Sequence, residues 1–152
     1  MIAAGRAGES GAKALLLEKN SSLGIKLLIT GHGRCNITNK TDSPREMAEK
    51  FGRNGKFLIS AFSRFGVKET IGFFENRGIK TKVEKNNRVI TGSDKAEDVL
   101  NALIAYMEKG GVEVKFNAEV RSIEASNSRI DKVTLSTGEE VFAGKFIICT
   151  GG

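Results

Sequence analysis

The amino-acid sequence predicts an α/β fold, on three observations. An alanine-rich, helix-permissive stretch at 2–9 leads through Gly11 into a nearly continuous apolar run at 12–19, which is typical of a helix followed by a buried strand. An amphipathic stretch at 95–108 predicts a long helix, and a further strand follows it. From residue 119 onward, short alternating stretches separated by turn residues indicate a β-meander.

Length and composition place the chain among ordinary globular proteins. Its 152 residues suit a single domain, which at this size buries about two-thirds of its unfolded surface. Glycine is abundant, with 18 residues against one proline, and this favours tight backbone turns over disorder. No apolar run approaches the ~18–20 residues of a membrane span, and the first residues lack the pattern of a secretory signal.

The cysteines and the charges bear on compartment and partners. Cys35 and Cys149 form no CxxC pair, and two isolated cysteines fit the reducing cytoplasm. The formal net charge of +6 permits acidic partners, yet acidic residues lie between the basic ones and no block rich in Lys and Arg occurs. We therefore expect a cytoplasmic protein with no dedicated nucleic-acid surface and no membrane association.

The middle of the chain predicts a small helical excursion and a hairpin. Ser43 and Glu46 form a capping box around Pro44, which predicts a helix that ends near residue 51. Periodicity predicts the other elements of this region, which are helices at 56–65 and 67–76 and a hairpin of strands at 79–84 and 88–91.

The last third of the chain predicts one helix and several strands. Ser93 or Asp94 is expected to cap the helix at 95–108, and a glycine pair ends it. The predicted strands after it are 112–116, then 120–125, 130–136 and 140–142 in the meander, and a last buried strand at 145–150.

Glu18 ends the first predicted strand, where dinucleotide-binding folds carry an acidic residue that binds the adenosine ribose. Such a residue follows a GxGxxG phosphate loop by about 20 positions, and counting back from Glu18 passes the start of the chain. Gly5, Gly8 and Gly11 have the wrong spacing for that loop. We therefore expect the first strand and its loop to be missing, with Met1 inside an element. A solvated strand-end carboxylate is the alternative for Glu18.

The densest turn chemistry lies at residues 30–39, called here the glycine loop. Gly31 and Gly33 allow backbone N–H groups to approach a ligand closely, and such groups bind anions. Arg34 could fork onto a phosphate or carboxylate, or stack on a flat ring. An ordinary turn with a solvated Arg34 explains the pattern equally well. Neutral hydrogen-bonding groups come from Thr30, Asn36, Thr38 and Asn39.

Six strings along the chain carry a resemblance to a known family. The longest and most specific is TGHGRCNITN at 30–39. The others are Leu17-Glu18-Lys19-Asn20, Leu23-Gly24-Ile25-Lys26-Leu27, Arg88-Val89, Ser93-Asp94-Lys95-Ala96 and Cys149-Thr150-Gly151-Gly152. Together they closely resemble the BaiN-like, or aminoacetone-oxidase-type, family of bacterial NAD(P)/FAD-dependent oxidoreductases. The resemblance covers essentially the whole chain.

This resemblance implies an FAD-binding, Rossmann-like fold of the glutathione-reductase type that lacks its first strand. Glu18 would hold the adenosine ribose, the glycine loop would lie against pyrophosphate and flavin, and Val120 would meet the adenine through its backbone. Residues 150–152 would form a second turn against the flavin. NAD(P)H is the implied candidate electron donor, and no catalytic residue is implied. The implied cofactor-binding residues are Glu18, Lys19, Lys26, Thr30, Gly31, Gly33, Arg34, Cys35, Asn36, Val120, Thr150, Gly151 and Gly152.

The chain also departs from this family. Members open with a strand and a GxGxxG-type loop, carry glycine where His32 stands, and usually carry Phe-Pro where this chain has Ile90-Thr91. Beyond the position of Gly152 they continue into a substrate domain. We therefore expect residues 1–152 to be a partial FAD/NAD(P)-binding domain, truncated at both ends and inactive alone, with an unidentified small-molecule substrate.

Other interpretations of the residues stand beside this one. The main alternative function is a non-catalytic basic α/β module that binds an anionic partner through Arg34 and neighbouring lysines. The chain has no second histidine to complete a zinc site with His32 and Cys35, so Cys35 is expected to be a packed thiol. Arg88 is expected in an ion pair. A phenylalanine series at helical spacing is expected in the core: Phe57, Phe62, Phe65, Phe73 and Phe74.

Overall fold

A computed structural model describes residues 1–41 and 43–150 of the chain, which divides into two compact units. The first unit comprises Met1–Leu23 with Leu103–Gly152, and the second comprises Gly24–Ala102. The helices are α1 Ile2–Glu9, α2 Ile25–Ile29, α3 Pro44–Glu49, α4 Ile59–Arg64, α5 Val67–Glu75 and α6 Ala96–Lys109, with 3₁₀ segments at Thr30–Gly33, Gly52–Leu58 and Lys85–Asn87. The strands are β1 Leu15–Leu17, β2 Thr38–Asn39, β3 Thr81–Val83, β4 Arg88–Thr91, β5 Glu113–Lys115, β6 Val120–Ser126, β7 Arg129–Leu135 and β8 Glu140–Phe142.

The first unit is built on a parallel pair of strands, β1 and β5, in which Leu16 lies opposite Val114. Parallel neighbours require a crossover connection, and α6 precedes β5 as such a connection does. The carboxyl end of β1 is therefore the edge at which a Rossmann-like fold places its ligand groups.

Glycines in α1 allow this helix to lie directly on the C-terminal half of α6. A Cβ atom at Gly5 would lie 2.4 Å from the ring of Tyr106, and one at Gly8 would lie 2.3 Å from the carbonyl oxygen of Gly110. The Tyr106 hydroxyl also donates a hydrogen bond of 2.9 Å to Glu9. These glycines, which have the wrong spacing for a phosphate loop, serve helix packing instead.

The predicted β-meander is present in the first unit as an antiparallel sheet in the order β6, β7, β8. Val133 and Leu135 of β7 are 5% and 1% exposed, whereas every residue of β6 is exposed. The sheet thus buries the C-terminal half of β7 and leaves β6 open to solvent.

The second unit carries an antiparallel sheet in the order β2, β4, β3, with β4 at its centre. Val89, Ile90 and Thr91 of β4 are buried, and the Thr91 hydroxyl accepts a hydrogen bond of 3.1 Å from the backbone N–H of Lys95 just before α6. This bond gives a hydrogen-bond partner both to the buried Thr91 hydroxyl and to a backbone N–H group at the start of the helix.

Most elements agree with the sequence. The predicted helices at 2–9, 67–76 and 95–108 are confirmed to within one or two residues. The capping box is confirmed on its Ser43 side, since this hydroxyl accepts a hydrogen bond of 3.1 Å from the backbone N–H of Glu46. The strand within 12–19, the hairpin and the meander are confirmed as well. The sequence analysis missed α2 and β2, which are too short to show a period.

Two expectations are wrong. The segment 145–150 forms no strand among the described residues, and Ile147 and Ile148 are 66% and 61% exposed rather than buried. An apolar run becomes a strand only beside a hydrogen-bonding neighbour, and β1 and β5 pair in this unit only with each other within 1–150. Two of the phenylalanines expected in the core, Phe57 and Phe65, are instead 88% and 45% exposed. Phe57 lies on a 3₁₀ segment with about three residues per turn, and Phe65 directly follows the last residue of α4.

Within residues 1–41 and 43–150, no helix is long and apolar enough to cross a membrane.

The exposed apolar segment at 145–150 predicts self-association. Unpaired stretches with high β-propensity pair with other chains, so the double substitution Ile147→Lys and Ile148→Asn should raise the soluble, monomeric fraction severalfold. Light scattering during concentration measures this fraction. Ile29→Asn, at an exposed isoleucine in the second unit, is the matched control and should have little effect. Equal aggregation of the parent and the double variant would contradict the prediction.

Candidate functional site

The glycine loop begins where α2 is held against the side chain of Leu100. Gly24, immediately before α2, has a φ of +75°, and a Cβ atom there would lie 2.5 Å from Leu100 Cδ1. Both the backbone angle and the close contact therefore require glycine. The contact fixes where α2 starts and hence where the loop after it begins.

The glycine loop has an unusual density of left-handed backbone. Gly31, His32, Gly33 and Cys35 have φ angles of 58°, 57°, 81° and 53°. The Thr30 carbonyl closes the turn by accepting a hydrogen bond of 3.2 Å from the N–H of Cys35. Backbone that mixes right- and left-handed residues is of the kind that can present N–H groups to an anion. The left-handed turn that the glycines predict is present, and the N–H groups of Arg34 and Cys35 donate hydrogen bonds within the loop.

His32 is the strained member of the loop. Its φ of 57° and ψ of 44° are left-handed values that an L-residue with a Cβ atom adopts at a cost of roughly 1–2 kcal/mol. The sequence analysis anticipated a restriction here, because related chains carry glycine at this position.

Arg34 lies in a network of ion pairs in the second unit. Its Nη1 atom is 2.7 Å from Glu84 Oε1 and 3.8 Å from Asp94 Oδ1. Arg88 contacts the other oxygen of Glu84 at 3.3 Å, and Lys82 contacts Asp94 at 2.5 Å. The guanidinium is therefore oriented by two acidic residues rather than loosely solvated, and the ion pair expected for Arg88 is confirmed.

A shallow groove lies beside this network. It has a volume of about 350 Å³ and is lined by Arg34, Glu84, Lys85 and Arg88. The pairing of Arg34 with Glu84 and Asp94 was not predicted, because nothing in the sequence links Arg34 with residues that lie 50 and 60 positions after it. Only the hairpin β3–β4, once folded, brings them to the loop.

Cys35 is a packed thiol, as expected. It is 7% exposed, and burial raises the pKa of its thiol, an effect that a hydrogen bond with Thr30 partly opposes. A raised pKa leaves less of the reactive thiolate at neutral pH. Cys149, in contrast, is exposed.

Glu18 lies at the carboxyl end of β1 with a fixed side chain. Its Oε1 atom accepts hydrogen bonds from the backbone N–H and the side-chain amide of Asn20, at 2.9 and 2.7 Å. Its backbone is held as well, because its N–H donates to Lys115 and its carbonyl accepts from Ala118, each at 2.9 Å. Asn20 was missed as a functional residue, although it belongs to the string that carries the resemblance.

The implied cofactor residues fall into two groups. The second unit contains the glycine-loop residues together with Lys26, which is exposed on α2, and Asn36, which is also exposed. The first unit contains Glu18, the exposed Lys19, the 40% exposed Val120 at the start of β6, and the exposed Thr150. The remaining implied residues, Gly151 and Gly152, lie outside the described residues.

The parallel strand pair with a carboxylate at its carboxyl end is typical of a Rossmann-like fold. The chain belongs to the family described as HI0933-like protein Rossmann domain, whose model matches residues 1–152. This is a family of FAD-binding oxidoreductases, which confirms the resemblance found in the sequence.

Two curated relatives match the whole chain but extend well beyond it. A 3-dehydro-bile acid delta(4,6)-reductase of Clostridium scindens is 29% identical over 151 residues, which is 99% of this chain and 35% of the relative. A ribosomal RNA dihydrouridine synthase of Escherichia coli is 30% identical over 154 residues, which is 100% of this chain and 36% of the relative. The chain thus spans about a third of the length of these relatives.

Solved structures share the fold. The 3-ketosteroid-delta4-(5alpha)-dehydrogenase of Rhodococcus jostii matches with a TM-score of 0.64 and 17% identity, over 91% of this chain and 40% of that one. Thermovibrio ammonificans THI4 matches with a TM-score of 0.52 and 14% identity, over 89% and 42%. At these identities the likeness concerns the fold alone.

Replacing His32 with glycine should stabilise the protein. His32→Gly removes the left-handed strain but adds backbone freedom to the unfolded chain, so the free energy of unfolding should rise by about 0.5–1 kcal/mol. Urea denaturation measures it. His32→Ala removes the same ring, keeps the Cβ atom and should give no such gain. A glycine variant less stable than the alanine variant would contradict the prediction.

The two cysteines should react at different rates. With DTNB at neutral pH, exposed Cys149 should react at least tenfold faster than buried Cys35, whose pKa is raised. Cys149→Ser should leave only the slow phase, and Cys35→Ser only the fast phase. Two fast phases in the unmodified chain would show that Cys35 is not held in the loop as described.

Proposed function

We propose that this chain is the FAD-binding part of a flavin-dependent oxidoreductase. The observation that supports this best is the left-handed backbone of the glycine loop at Gly31 and Gly33. It occurs in a chain whose family consists of FAD-binding proteins. An FAD pyrophosphate carries two negative charges, and backbone N–H groups in such a loop bind anions without a charged side chain. The residues present therefore fit the group.

Glu18 would accept hydrogen bonds from the hydroxyls of the adenosine ribose. An ionised carboxylate accepts only, and a ribose offers two hydroxyl donors. The hydrogen bonds from Asn20 fix the orientation of this carboxylate before any ligand binds. Val120 would meet the adenine through its backbone, and the turn at 150–152 would contact the flavin.

Arg34 would be a positioning residue for the phosphate or flavin side of the cofactor. A guanidinium has five N–H donors in a rigid fork, and both carboxylate contacts of Arg34 use Nη1. Donors therefore remain for a ligand, while Glu84 and Asp94 hold the plane of the group. Bound FAD would supply the two-electron chemistry, and this chain would supply its binding and orientation.

The proposal names an electron donor but no substrate. The two curated relatives are named for a bile acid and for ribosomal RNA, so the family name does not identify a substrate. NAD(P)H is the proposed electron donor. We expect no turnover from this chain alone, since most of each relative's length lies outside the match.

The alternative of a simple basic module is less favoured. Arg34, Lys82 and Arg88 face the two carboxylates Glu84 and Asp94, and Lys85 adds one more cation to the same groove. The ion pairs therefore reduce the attraction of this network for an anionic partner but do not cancel it.

FAD titration tests the proposal. Glu18→Gln should weaken FAD binding about tenfold or more, because a hydrogen bond to a charged group contributes about 1.5–3 kcal/mol. Gly31→Val should weaken it as well, because a β-branched residue resists a φ of 58°. Quenching of flavin fluorescence reports the dissociation constant.

Matched controls separate binding from folding. Glu113→Gln removes a carboxylate from an exposed position on β5, and Gly72→Ala adds a methyl group at a helical glycine with open space around it. Both should bind FAD as the parent does. Unchanged affinity in the Glu18 and Gly31 variants would overturn the assigned contacts. A chain extended to the relatives' full length that retains no flavin would overturn the proposed function itself.

A further inference from the structure

The second unit contains a second groove, away from the glycine loop in sequence and made by the helical excursion. It is open to solvent and has a volume of about 730 Å³. Two aromatic rings stand in it with much of their surface in solvent, since Phe57 is 88% and Phe51 is 55% exposed. Its lining residues are Phe51, Arg53, Asn54, Phe57 and Leu58.

The exposure of these rings is fixed by tight backbone packing. A Cβ atom at Gly55 would lie 1.8 Å from the carbonyl oxygen of Ala48, so the 3₁₀ segment Gly52–Leu58 is pressed onto α3. Phe51 is supported by Phe62 of α4, with ring centroids 5.7 Å apart. The position of the two rings is therefore fixed by the packing of the segment beneath them, and neighbouring exposed aromatic rings are candidates for an interaction surface.

Positive charge surrounds the rings. Arg53, which lines the groove, and Lys56, next to Phe57 in the chain, are both exposed. Within the described residues neither forms an ion pair, in contrast to Arg34 and Lys82. Residues 43–66 contain five cations and two carboxylates, which are Arg45, Lys50, Arg53, Lys56 and Arg64 against Glu46 and Glu49.

We propose that this groove binds single-stranded nucleic acid. Exposed aromatic faces stack on unpaired bases, and cations along the same surface contact the phosphates. The rings of Phe57 and Phe51 would stack on bases. Arg53 and Lys56 would contact the phosphates. The side-chain amide of Asn54 would form hydrogen bonds with base edges. The binding needs no flavin and is independent of the function proposed for the glycine loop.

The shape of the surface favours a nucleic acid over an acidic membrane. A membrane-binding element presents a convex apolar face on an amphipathic helix, whereas these rings line a groove together with a guanidinium and an amide. Polar groups with fixed hydrogen-bond donors and acceptors can pair with base edges, whereas lipid acyl chains have no groups that hydrogen-bond with them.

This surface differs from what the sequence led us to expect. No nucleic-acid surface was expected because the cations are spread along the chain among acidic residues. Phe57 was expected, separately, to pack in the core. With Phe57 in solvent and two neighbouring cations unpaired, the two requirements for stacking and phosphate contact occur together.

Titration of the chain into a fluorescein-labelled, unstructured 12-nucleotide RNA, without FAD, tests the proposal. Phe57→Ala should weaken binding about tenfold or more with little change in its salt dependence, because stacking is not screened. Arg53→Gln should reduce the slope of log affinity against log salt by about 0.7, because one phosphate contact is lost. Both side chains are exposed, so folding should be unaffected, and circular dichroism checks this.

Matched controls and competing partners complete the experiment. Phe142→Ala removes a phenylalanine that is 67% exposed on β8, and Lys13→Gln removes an exposed cation of the first unit; both should bind RNA as the parent does. Equal binding by Phe57→Ala and the parent would overturn the proposal. Binding of heparin as tight as that of RNA would overturn it too. So would a result in which Phe57→Ala weakens binding to vesicles with 30% anionic lipid but leaves RNA binding unchanged.

Discussion

Close contact between backbone and the long helix α6 is the constraint on which both units depend. In the first unit, Gly5 of α1 leaves no room for a side chain beside Tyr106. In the second unit, Gly24 leaves none beside Leu100, and the glycine loop begins one short helix later. Interiors are packed at crystal-like density, so a single added methyl group must displace the Tyr106 ring at Gly5 and the end of the Leu100 side chain at Gly24. The abundance of glycine in the sequence has this steric cause as much as a functional one.

Local signals explain how much of the fold could be predicted. The cap at Ser43 and the apolar face of α6 are complete within a few residues of sequence, so the helices they predict are present. The segment at 145–150 has equally strong strand character, yet strand formation depends on a neighbour that local sequence does not reveal. Phe57 shows the same limit, because its exposure follows from a 3₁₀ geometry that helical spacing does not distinguish.

The candidate site divides in the same way. The glycine loop could be found from its own residues, because left-handed backbone and close approach both select glycine at Gly31 and Gly33. Its acidic neighbours could not, since Glu84 and Asp94 reach Arg34 only through the folded hairpin. Sequence thus identifies groups that act through backbone conformation, and it misses groups that act through tertiary proximity.

The pairing of Arg34 with Glu84 and Asp94 has a consequence for how the glycine loop can attract an anion. In the FAD-binding role proposed above, the guanidinium already faces carboxylates, so the attraction at short range would come mainly from peptide dipoles, which neither titrate nor exchange counterions. Such a loop would hold its ligand by geometry rather than by net charge. Its selectivity would then be for the shape and spacing of phosphate oxygens, and the overall positive charge of the protein would contribute little to it.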